Sequence, residues 1–421
     1  MNDSAFHLVD GMLHAEGVSA ASLADQFGTP LYVYSRNALT HAYRAYADAC
    51  AGRKAKIHVA VKANSNLAVL NVFARMGAGF DIVSAGELAR VIAAGGKPED
   101  TVFSGVGKSA AEMREALEMG VKCFNVESIP ELHVLNDVAK SLGKRAPVSL
   151  RVNPDVDPKT HPYISTGLKA NKFGVAFSNA RATYRAAHAM DHLDVVGIDF
   201  HIGSQITEIS PYLDALDKVL DLVEQIEADG MSIRHVDVGG GLGITYDDET
   251  PPDIGEFVKT LLDRIDARSH GRREVYFEPG RSLVGNAGVL LTRVEYLKPG
   301  EEKNFAIVDA GINDLARPAM YQAFHRIVPV VRRYGATAQT YDVVGPVCES
   351  GDWLGRDRAL AVEAGDLLAI CSVGAYSFAT SSNYNTRPRV AEIMVDGDRA
   401  HVVREREVVK ELFAGESVLP N

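Results

Sequence analysis

Phe80-Asp81-Ile82-Val83-Ser84-Ala85-Gly86-Glu87 joins a short run typical of a buried strand to the first turn of a helix. Ser84 and Glu87 have the S-x-x-E spacing of a capping box, in which both side chains bind N–H groups that the first helical turn leaves unpaired. The same spacing follows two later apolar runs, at Ser109–Glu112 and Ser128–Glu131. Three successive strand-to-helix junctions predict repeated βα units.

Extending this pattern in both directions predicts eight strands with helices between them. The predicted strands lie at 56–63, 80–83, 101–104, 122–126, 148–152, 195–200, 235–238 and 274–277. The predicted helices lie near 37–52, 66–76, 85–95, 110–119, 129–142, 178–191, 211–229 and 254–268. Eight strands and their helices within about 250 residues have the size and rhythm of a (β/α)8 barrel. A doubly wound open sheet, also built from βα units, is the alternative fold.

The helical rhythm ends after Arg281, where short strand-like runs are separated by Gly, Pro and Asp turns, as in an all-β domain. Before the barrel, short strands are predicted near 6–9 and 31–34, with a helical piece near 23–27. We therefore predict an N-terminal segment (1–35), a (β/α)8 barrel (36–283) and a mainly β C-terminal domain (284–421).

Composition excludes several classes of protein. The chain has 421 residues, of which 46% are hydrophobic and 24% charged, and its net charge of −11 is spread without a basic tract. Nucleic acid and anionic membranes are therefore not expected partners. No signal sequence or run long enough for a membrane span is found, so we expect a cytoplasmic protein. The four cysteines are widely separated, so we expect buried thiols, with no disulfide framework and no metal site.

Polar residues and glycines follow the predicted strands. A (β/α)8 barrel carries its active site at the carboxyl ends of its strands, so these positions are candidates for function. They are Lys62, Asp81, Ser104-Gly105, Asn125, Asn153, His201, Gly239-Gly240-Gly241 and Glu278.

Lys62 ends the apolar run Lys56–Asn64, and an amine held at the end of a buried strand can form a Schiff base with a carbonyl cofactor. The tripeptide Lys62-Ala63-Asn64 recurs at Lys169-Ala170-Asn171. Lys169 follows a loop-like stretch, whereas the strand before Lys62 can desolvate an amine and lower its pKa. Lys62 is therefore the better candidate.

Three other strand ends suggest a cofactor, although each also has a simpler interpretation. The glycines at 239–241 could surround a phosphate with backbone N–H groups, or form only a turn. Glu278 could hold the protonated nitrogen of a pyridine ring, or form a salt bridge with Arg281. His201 could stack on a ring or move protons, or be structural. In the C-terminal domain, Cys348 could act as an acid.

The ordered motifs resemble the diaminopimelate decarboxylase family of fold-type III enzymes that use pyridoxal 5′-phosphate (PLP), a group that also includes alanine racemase and ornithine decarboxylase. The motifs are V-K-A-N, F-D-x-x-S-x-x-E, H-x-G-S-Q, G-G-G, E-P-G-R, C-E-S-G-D and G-A-Y. In this family the N-terminal strand joins the C-terminal β domain, and the resemblance covers nearly the whole chain.

The resemblance implies a role for each candidate residue. It implies catalytic roles for Lys62, His201, Glu278 and Cys348, with Lys62 binding PLP covalently and Cys348 donating a proton. Cofactor binding is implied for Lys62, Asp81, His201, Ser204, Gly239, Gly240, Gly241, Glu278, Gly280, Arg281 and Tyr376. Substrate binding is implied for Arg281, Arg317, Tyr321, Glu349 and Tyr376.

The implied reaction is decarboxylation of meso-2,6-diaminopimelate to L-lysine, the last step of lysine biosynthesis. The resemblance also implies a homodimer in which the loop with Cys348 and Glu349 reaches the partner subunit's active site. Two arginines suit a substrate with two carboxylates. A decarboxylase for another basic amino acid and a catalytically silent binding protein remain the alternatives.

Overall fold

The computed structural model describes residues 5–157 and 171–420. The chain divides into two compact units, which we call the barrel unit and the β unit. The barrel unit comprises His41–Ile244 and Glu249–Leu283, and the β unit comprises Met1–Thr40, Thr245–Asp248 and Val284–Asn421. Within the described ranges, no helix is long and apolar enough to cross a membrane.

The N-terminal part of the chain forms four short strands and two helices. They are β1 (Phe6–Val9), β2 (Met12–Ala15), β3 (Val18–Ser19), α1 (Ala20–Phe27), β4 (Leu31–Ser35) and α2 (Arg36–Cys50). Strands β1 to β3 form a small antiparallel sheet. Every residue of β4 is buried, because this strand lies inside the large sheet of the β unit.

The barrel unit is a closed parallel barrel of eight strands. These are β5 (Ala55–Ala60), β6 (Gly79–Ile82), β7 (Thr101–Phe103), β8 (Cys123–Val126) and β9 (Ala146–Asn153), then, after the two-residue β10 (Val175–Ala176), β11 (Leu193–Asp199), β12 (His235–Asp237) and β13 (Glu274–Phe277). Strand β13 pairs with β5, which closes the barrel. The (β/α)8 prediction is confirmed, and the open-sheet alternative is wrong.

Eight helices belong wholly or partly to the barrel unit in the described segments, in addition to α2. They are α3 (Leu67–Arg75), α4 (Ala85–Ala93), α5 (Ala110–Met119), α6 (Ile129–Ser141), α7 (Phe177–His188), α8 (Ser210–Ala228), α9 (Ile254–Ser269) and the short α10 (Arg281–Val284). Each predicted helix is present, with ends that differ from the prediction by at most three residues.

The three predicted capping boxes differ in detail. Ser84, Ser109 and Ser128 each accept a hydrogen bond from the backbone N–H three residues ahead. Only the Ser109 box is reciprocal, because Glu112 binds the N–H of Ser109 itself. In the other two, the glutamate binds the N–H one residue earlier, at Val83 or at Glu127. The spacing therefore predicts where the helices begin but not every bond of the cap.

Three rings from β5, β12 and β13 pack together in the barrel interior. His235 stacks on Tyr276 with ring centroids 4.3 Å apart, and His58 meets the same ring edge-on at 4.6 Å. Tyr276 also packs with residues from three other strands, so this ring layer, formed by His58, His235 and Tyr276, lies inside the barrel. A Cβ atom on Gly197 would overlap the ring of His235, and one on Gly79 would lie 2.5 Å from the ring of His58.

The rest of the β unit is mainly sheet. Its elements are β14 (Gly288–Lys298), β15 (Asn304–Val308), α11 (Arg317–Tyr321), β16 (Ile327–Pro329), β17 (Gln339–Val344), β18 (Trp353–Leu360), β19 (Leu367–Ile370), β20 (Ala391–Asp396), β21 (Arg399–Arg404) and α12 (Val409–Leu412). Strand β4 lies between β14 and β20. The N-terminal strand therefore completes the sheet of the β unit, as the resemblance implied.

Candidate active site

Four carboxyl groups meet inside the barrel at the carboxyl ends of its strands. This acidic layer consists of Asp81, Asp199, Asp237 and Glu278, all buried. Asp199 and Asp237 stand opposite each other on β11 and β12. Oxygen atoms of Asp199, Asp237 and Glu278 lie within 4.8 Å of one another. Carboxylates this close must share positive charge, from protons or from a cation, because they cannot all ionise together.

Lys62 lies beside this layer. The strand β5 ends at Ala60, and Lys62 stands in the 3₁₀ turn Val61–Ala63 that follows it. Its Nζ is 2.9 Å from Oδ2 of Asp81. The prediction that a strand carries and desolvates this lysine is wrong, because its side chain is 40% exposed. The residue instead lies where the chain turns out of the barrel. Its rival, Lys169, lies outside the described residues.

Glu278 follows β13 and points into the acidic layer. Asn125 Nδ2 donates to Oε1 of Glu278 at 3.4 Å, and the backbone N–H of Glu278 donates to the carbonyl of Gly239 at 2.8 Å. Burial, followed by the charges of Asp237, Asp81 and Asp199, raises the pKa of Glu278 well above its usual range. The side chain therefore binds a proton readily, which suits a partner for a basic ring nitrogen.

His201 follows β11 and is uncharged. Burial, then the positive charges of Arg151 and Lys62, hold the pKa of His201 well below its usual range. The N–H of Gly240 donates to its Nδ1 at 3.3 Å, which leaves the ring proton on Nε2. A neutral aromatic ring can lie against a cofactor ring without repelling its positive charge.

Close packing explains the glycines after β12. A Cβ atom on Gly240 would overlap the carbonyl oxygen of Glu278, and one on Gly239 would lie 2.7 Å from the carbonyl of Phe200. Gly241 has φ +105°, a conformation that side chains disfavour. The three glycines are therefore needed for the turn itself. The N–H groups of Gly239 and Gly240 donate to Asp237 and His201, and phosphate binding at this turn stays a prediction.

The guanidinium of Arg281 lies next to the loop after β11. Arg281 Nη2 donates to Ser204 Oγ at 2.9 Å, and Arg281 is buried. Gly280, directly before it, is also buried and accepts the N–H of Leu283. The barrel unit thus brings together an amine, a neutral imidazole, a proton-binding carboxyl group and a buried guanidinium.

The remaining predicted site residues belong to the β unit. Arg317 begins α11, is buried, and donates from Nη1 to His325 at 2.9 Å, with its guanidinium 4.9 Å from the ring centre of Tyr246. Tyr321 ends the same helix and is half-buried. Tyr376 has φ +57° and is also half-buried.

Cys348 is exposed, so the expectation that every cysteine is buried is wrong at this position. The neighbouring Asp352 explains the exposure, since its two oxygens accept the N–H groups of Val347 and Ile312 at 2.6 and 2.7 Å. This carboxylate anchors the loop and leaves Cys348 and Glu349 on the surface. Asp352 thus has a structural role in this loop.

Sequence reasoning missed several polar residues of the barrel interior. Arg151 donates to Glu127 at 3.2 Å and lies 4.8 Å from the ring centre of Phe173. Asp199 and Asp237 were not among the predicted site residues. Their signal was a charged side chain inside an apolar strand, where burial without a partner is costly.

Comparison with known protein families shows which class of protein this chain belongs to. Residues 36–285 match the family model for the pyridoxal-dependent decarboxylases, pyridoxal binding domain. This region is more than half of the chain and includes the whole barrel. The chain therefore belongs to the pyridoxal-dependent decarboxylases.

Full-length relatives narrow the assignment. Diaminopimelate decarboxylase from Pseudomonas aeruginosa is 60% identical over 416 residues, covering 99% of both chains. The Vibrio cholerae enzyme of that name is 59% identical over 411 residues, covering 98% of both. A crystal structure of diaminopimelate decarboxylase from M. jannaschii in co-complex with L-lysine is 39% identical, with a TM-score of 0.94 and coverage of 100% of this chain and 99% of that one. The chain is a member of the diaminopimelate decarboxylase family.

The barrel site fits PLP. An amine at a strand end suits an aldehyde, and a proton-binding carboxyl group suits a pyridine nitrogen. Buried oxygens of Asp81 (Oδ1) and Asn125 (Oδ1) have no hydrogen-bond partner among the described residues. Such atoms indicate room for a polar ligand, because buried polar groups otherwise find partners.

Proposed function

We propose that this protein decarboxylates meso-2,6-diaminopimelate to L-lysine and CO2 with PLP, as a cytoplasmic homodimer. One observation carries the proposal: Lys62 and Asp81 pair at 2.9 Å at the carboxyl end of a barrel that also holds the buried Glu278. The names of the full-length relatives support the substrate, and the lysine complex of the M. jannaschii relative supports the product.

In this proposal the barrel unit holds the cofactor. Lys62 binds PLP covalently, and Asp81 orients the amino group of Lys62 through their ion pair. Glu278 keeps a proton on the ring nitrogen, and the neutral His201 packs against the ring. The phosphate group would be held by Ser204, Gly241, Gly280 and Arg281, and Gly239 and Gly240 would shape the turn beside it, because their N–H groups bind Asp237 and His201. Tyr376 is a further proposed contact of the cofactor. When bound, PLP supplies the electron sink into which the bond to the departing carboxylate breaks.

Residues of the β unit are proposed to bind the substrate and return its proton. Arg317 offers a guanidinium fork to a carboxylate, with Arg281, Tyr321, Glu349 and Tyr376 as further contacts. Cys348 donates the proton that replaces CO2, and its exposed loop is proposed to act in the partner subunit's active site. Exposure suits this role, since a buried thiol could not reach another subunit.

The assay of CO2 release tests the substrate. We expect turnover of meso-diaminopimelate and little or none of ornithine, arginine or lysine at equal concentration. Faster release from one of these three would show a different decarboxylase, and no release from any of the four would show a silent homologue.

Borohydride reduction tests the covalent site. Reduction should fix a pyridoxyl group on Lys62, identified by peptide mass spectrometry, and Lys62→Arg should abolish the labelling. Lys56→Arg is the matched control, because Lys56 lies on β5, the strand before Lys62, and its side chain is half exposed and pairs with Asp100. Labelling at another lysine would refute the assignment.

Cys348→Ala tests the proton donor. We expect unchanged PLP absorbance and a fall in kcat of at least about 100-fold, the lower end for loss of a general acid. Cys50→Ala is the control, because Cys50 is buried in a helix. Turnover of Cys348→Ala near the wild-type rate would exclude the donor role.

A further inference from the structure

We infer that Asp237 is a positioning residue for Glu278: the two carboxyl groups share one proton, and this reserve keeps the ring nitrogen of the cofactor protonated. The inference rests on the proposed function for PLP binding and deepens it. It assigns a role to a buried side chain that the proposed catalytic steps do not otherwise use.

The first support is geometric. Asp237 ends β12, and its Oδ1 accepts the N–H of Gly239 at 2.9 Å. Side-chain hydrogen bonds with Glu278 and Asn125 also act on this carboxyl group, whose Oδ2 is buried. An oxygen of Asp237 lies within 4.8 Å of one from Glu278. The backbone bond fixes the Asp237 side chain and favours its ionised form, so an oxygen is left to accept a proton from Glu278.

The second support is the balance of charge around the pair. The groups that act on Asp199, Asp237 or Glu278 are Asp81, Asn125, Glu127, Arg151, Lys62 and the backbone of Gly239. Of the two cations, Lys62 pairs with Asp81 and Arg151 pairs with Glu127. Five acidic groups, Asp81, Glu127, Asp199, Asp237 and Glu278, thus face these two cations, so protons must neutralise part of the acidic layer.

The directions of the pKa shifts agree with this picture. Burial raises the pKa of Asp237 to about 6, while the pKa values of Glu278 and Asp199 rise well above their usual range. Burial thus favours a proton on each of these carboxyl groups, and Asp237 and Glu278 titrate as one coupled pair.

The proton balance explains how the pair would act. When a protonated ring nitrogen faces Glu278, the proton of Glu278 passes to Asp237, and the ionised Glu278 then accepts the N–H of the ring. No proton is gained or lost in this exchange. As the pH rises, the pair gives up its spare proton first, and the additional negative charge holds the ring proton more tightly. With asparagine at 237 there is no spare proton, so the ring nitrogen itself must deprotonate.

The experiment measures the protonation of the ring nitrogen directly. Wild-type protein and Asp237→Asn are loaded with PLP labelled with 15N in the ring, and the 15N chemical shift is followed against pH. We expect the midpoint for loss of the ring proton to fall by about one pH unit or more in Asp237→Asn, since one charge of the coupled pair is removed. Asp217→Asn, an exposed change on α8, is the control and should leave the midpoint unchanged.

The outcomes separate this inference from the proposed function. If wild-type protein binds PLP on Lys62 and decarboxylates, but Asp237→Asn keeps the wild-type midpoint, only the inference is wrong. A stoichiometric metal ion in the purified protein would also overturn it, because a cation would then neutralise the pair. If wild-type protein binds no PLP, both fail.

Should Asp237→Asn not fold, two further measurements decide. Asp237→Glu keeps a second carboxyl group and should keep the wild-type midpoint. The infrared spectrum of the wild-type holoenzyme should show the stretch of a protonated carboxyl group that Glu278→Gln alters. Absence of that band would overturn the inference.

Discussion

The barrel interior contains two polar layers that lie only two residues apart along the same strands. His235 precedes Asp237 on β12, and Tyr276 precedes Glu278 at the end of β13. The ring layer packs its histidines over Gly79 and Gly197, whereas the acidic layer follows at Asp81 and Asp199 on the same two strands. Burial disfavours the charged form in both layers. It lowers the pKa of His58 and His235 and raises the pKa of Glu278.

The two layers differ in what closes them. The rings of the first layer fill the barrel, and glycine backbones give them the necessary room. Both layers contain buried polar atoms that make no ordinary hydrogen bond in the described structure, namely ring nitrogens of His58 and His235 and carboxyl oxygens of Asp81, Asp199 and Asp237. The difference is position: the rings pack against one another in the barrel interior, whereas the carboxyl groups lie at the carboxyl ends of the strands, where a (β/α)8 barrel binds its ligands. We therefore expect changes in the ring layer to alter stability and changes in the acidic layer to alter catalysis.

The largest expected effect is at Glu278. Glu278→Gln replaces a buried carboxyl group with an amide of the same shape, which cannot hold a proton on a ring nitrogen. We expect kcat to fall about 1,000-fold, as for loss of one preorganised electrostatic partner. The free energy of unfolding in urea should change by less than about 1 kcal/mol. A large loss of stability with little loss of turnover would reverse the roles of the layers.

Gly197→Ala should lower stability and leave turnover nearly unchanged, the opposite of Glu278→Gln. Its Cβ would overlap the ring of His235, which Tyr276 holds in place. We expect a loss of about 3 kcal/mol in unfolding free energy, the upper range for overpacking. Turnover per folded molecule should stay close to that of wild type. Gly107→Ala is the matched control, because a Cβ there meets no atom within 4 Å.

The histidines make the ring layer sensitive to acid. Burial lowers the pKa of His58 and of His235 to about 3, whereas histidine in the unfolded chain titrates near ~6.5. The unfolded chain therefore binds more protons below that value, and stability is lost as the pH falls through it. Each histidine should cost about 2 kcal/mol of unfolding free energy between pH 7 and pH 5.

Variants of both histidines test this sign. His58→Gln and His235→Gln should each flatten the dependence of unfolding free energy on pH in this range, even if they lower its absolute value. His133→Gln, on the exposed face of α6, should leave the slope unchanged. A double variant with the wild-type slope would show that other groups control acid unfolding.

The smallest effect is expected outside both layers. Ser109→Ala removes the N-cap of α5 and half of its reciprocal box, and should cost about 1 kcal/mol of unfolding free energy. Turnover should not change. Ser232→Ala, at an exposed loop position, provides the control for loss of a hydroxyl group. A fall in turnover comparable to that of Glu278→Gln would contradict the separation of helix caps from the acidic layer.

The fold could be predicted from sequence because its signals are local. Helix starts at Ser84, Ser109 and Ser128 and the apolar runs before them depend on neighbouring residues only. The strand before Lys62 was predicted to reach residue 63 but ends at Ala60, because the length of β5 depends on its pairing with β6 and β13. Most residues of the candidate site could be predicted from the barrel topology, because a closed barrel brings the ends of its strands together.

Other features of the site depend on contacts across the barrel. Asp237 resembles any polar residue at a strand end until the closed barrel brings it near Glu278. The pairing of Arg151 with Glu127 likewise joins β9 to the residue after β8. The exposure of Cys348 depends on the anchoring bonds of Asp352, which no spacing in the sequence indicates.

The glycines at 239–241 also have a consequence for protein engineering. Their backbone packs directly on the carbonyl groups of Phe200, Gly203 and Glu278, so the loops after β11, β12 and β13 form one interlocked unit. A loop transplanted from another enzyme into any one of these three positions would meet fixed neighbours on both sides. Attempts to change substrate range should therefore exchange the three loops together or begin with residues elsewhere in the chain.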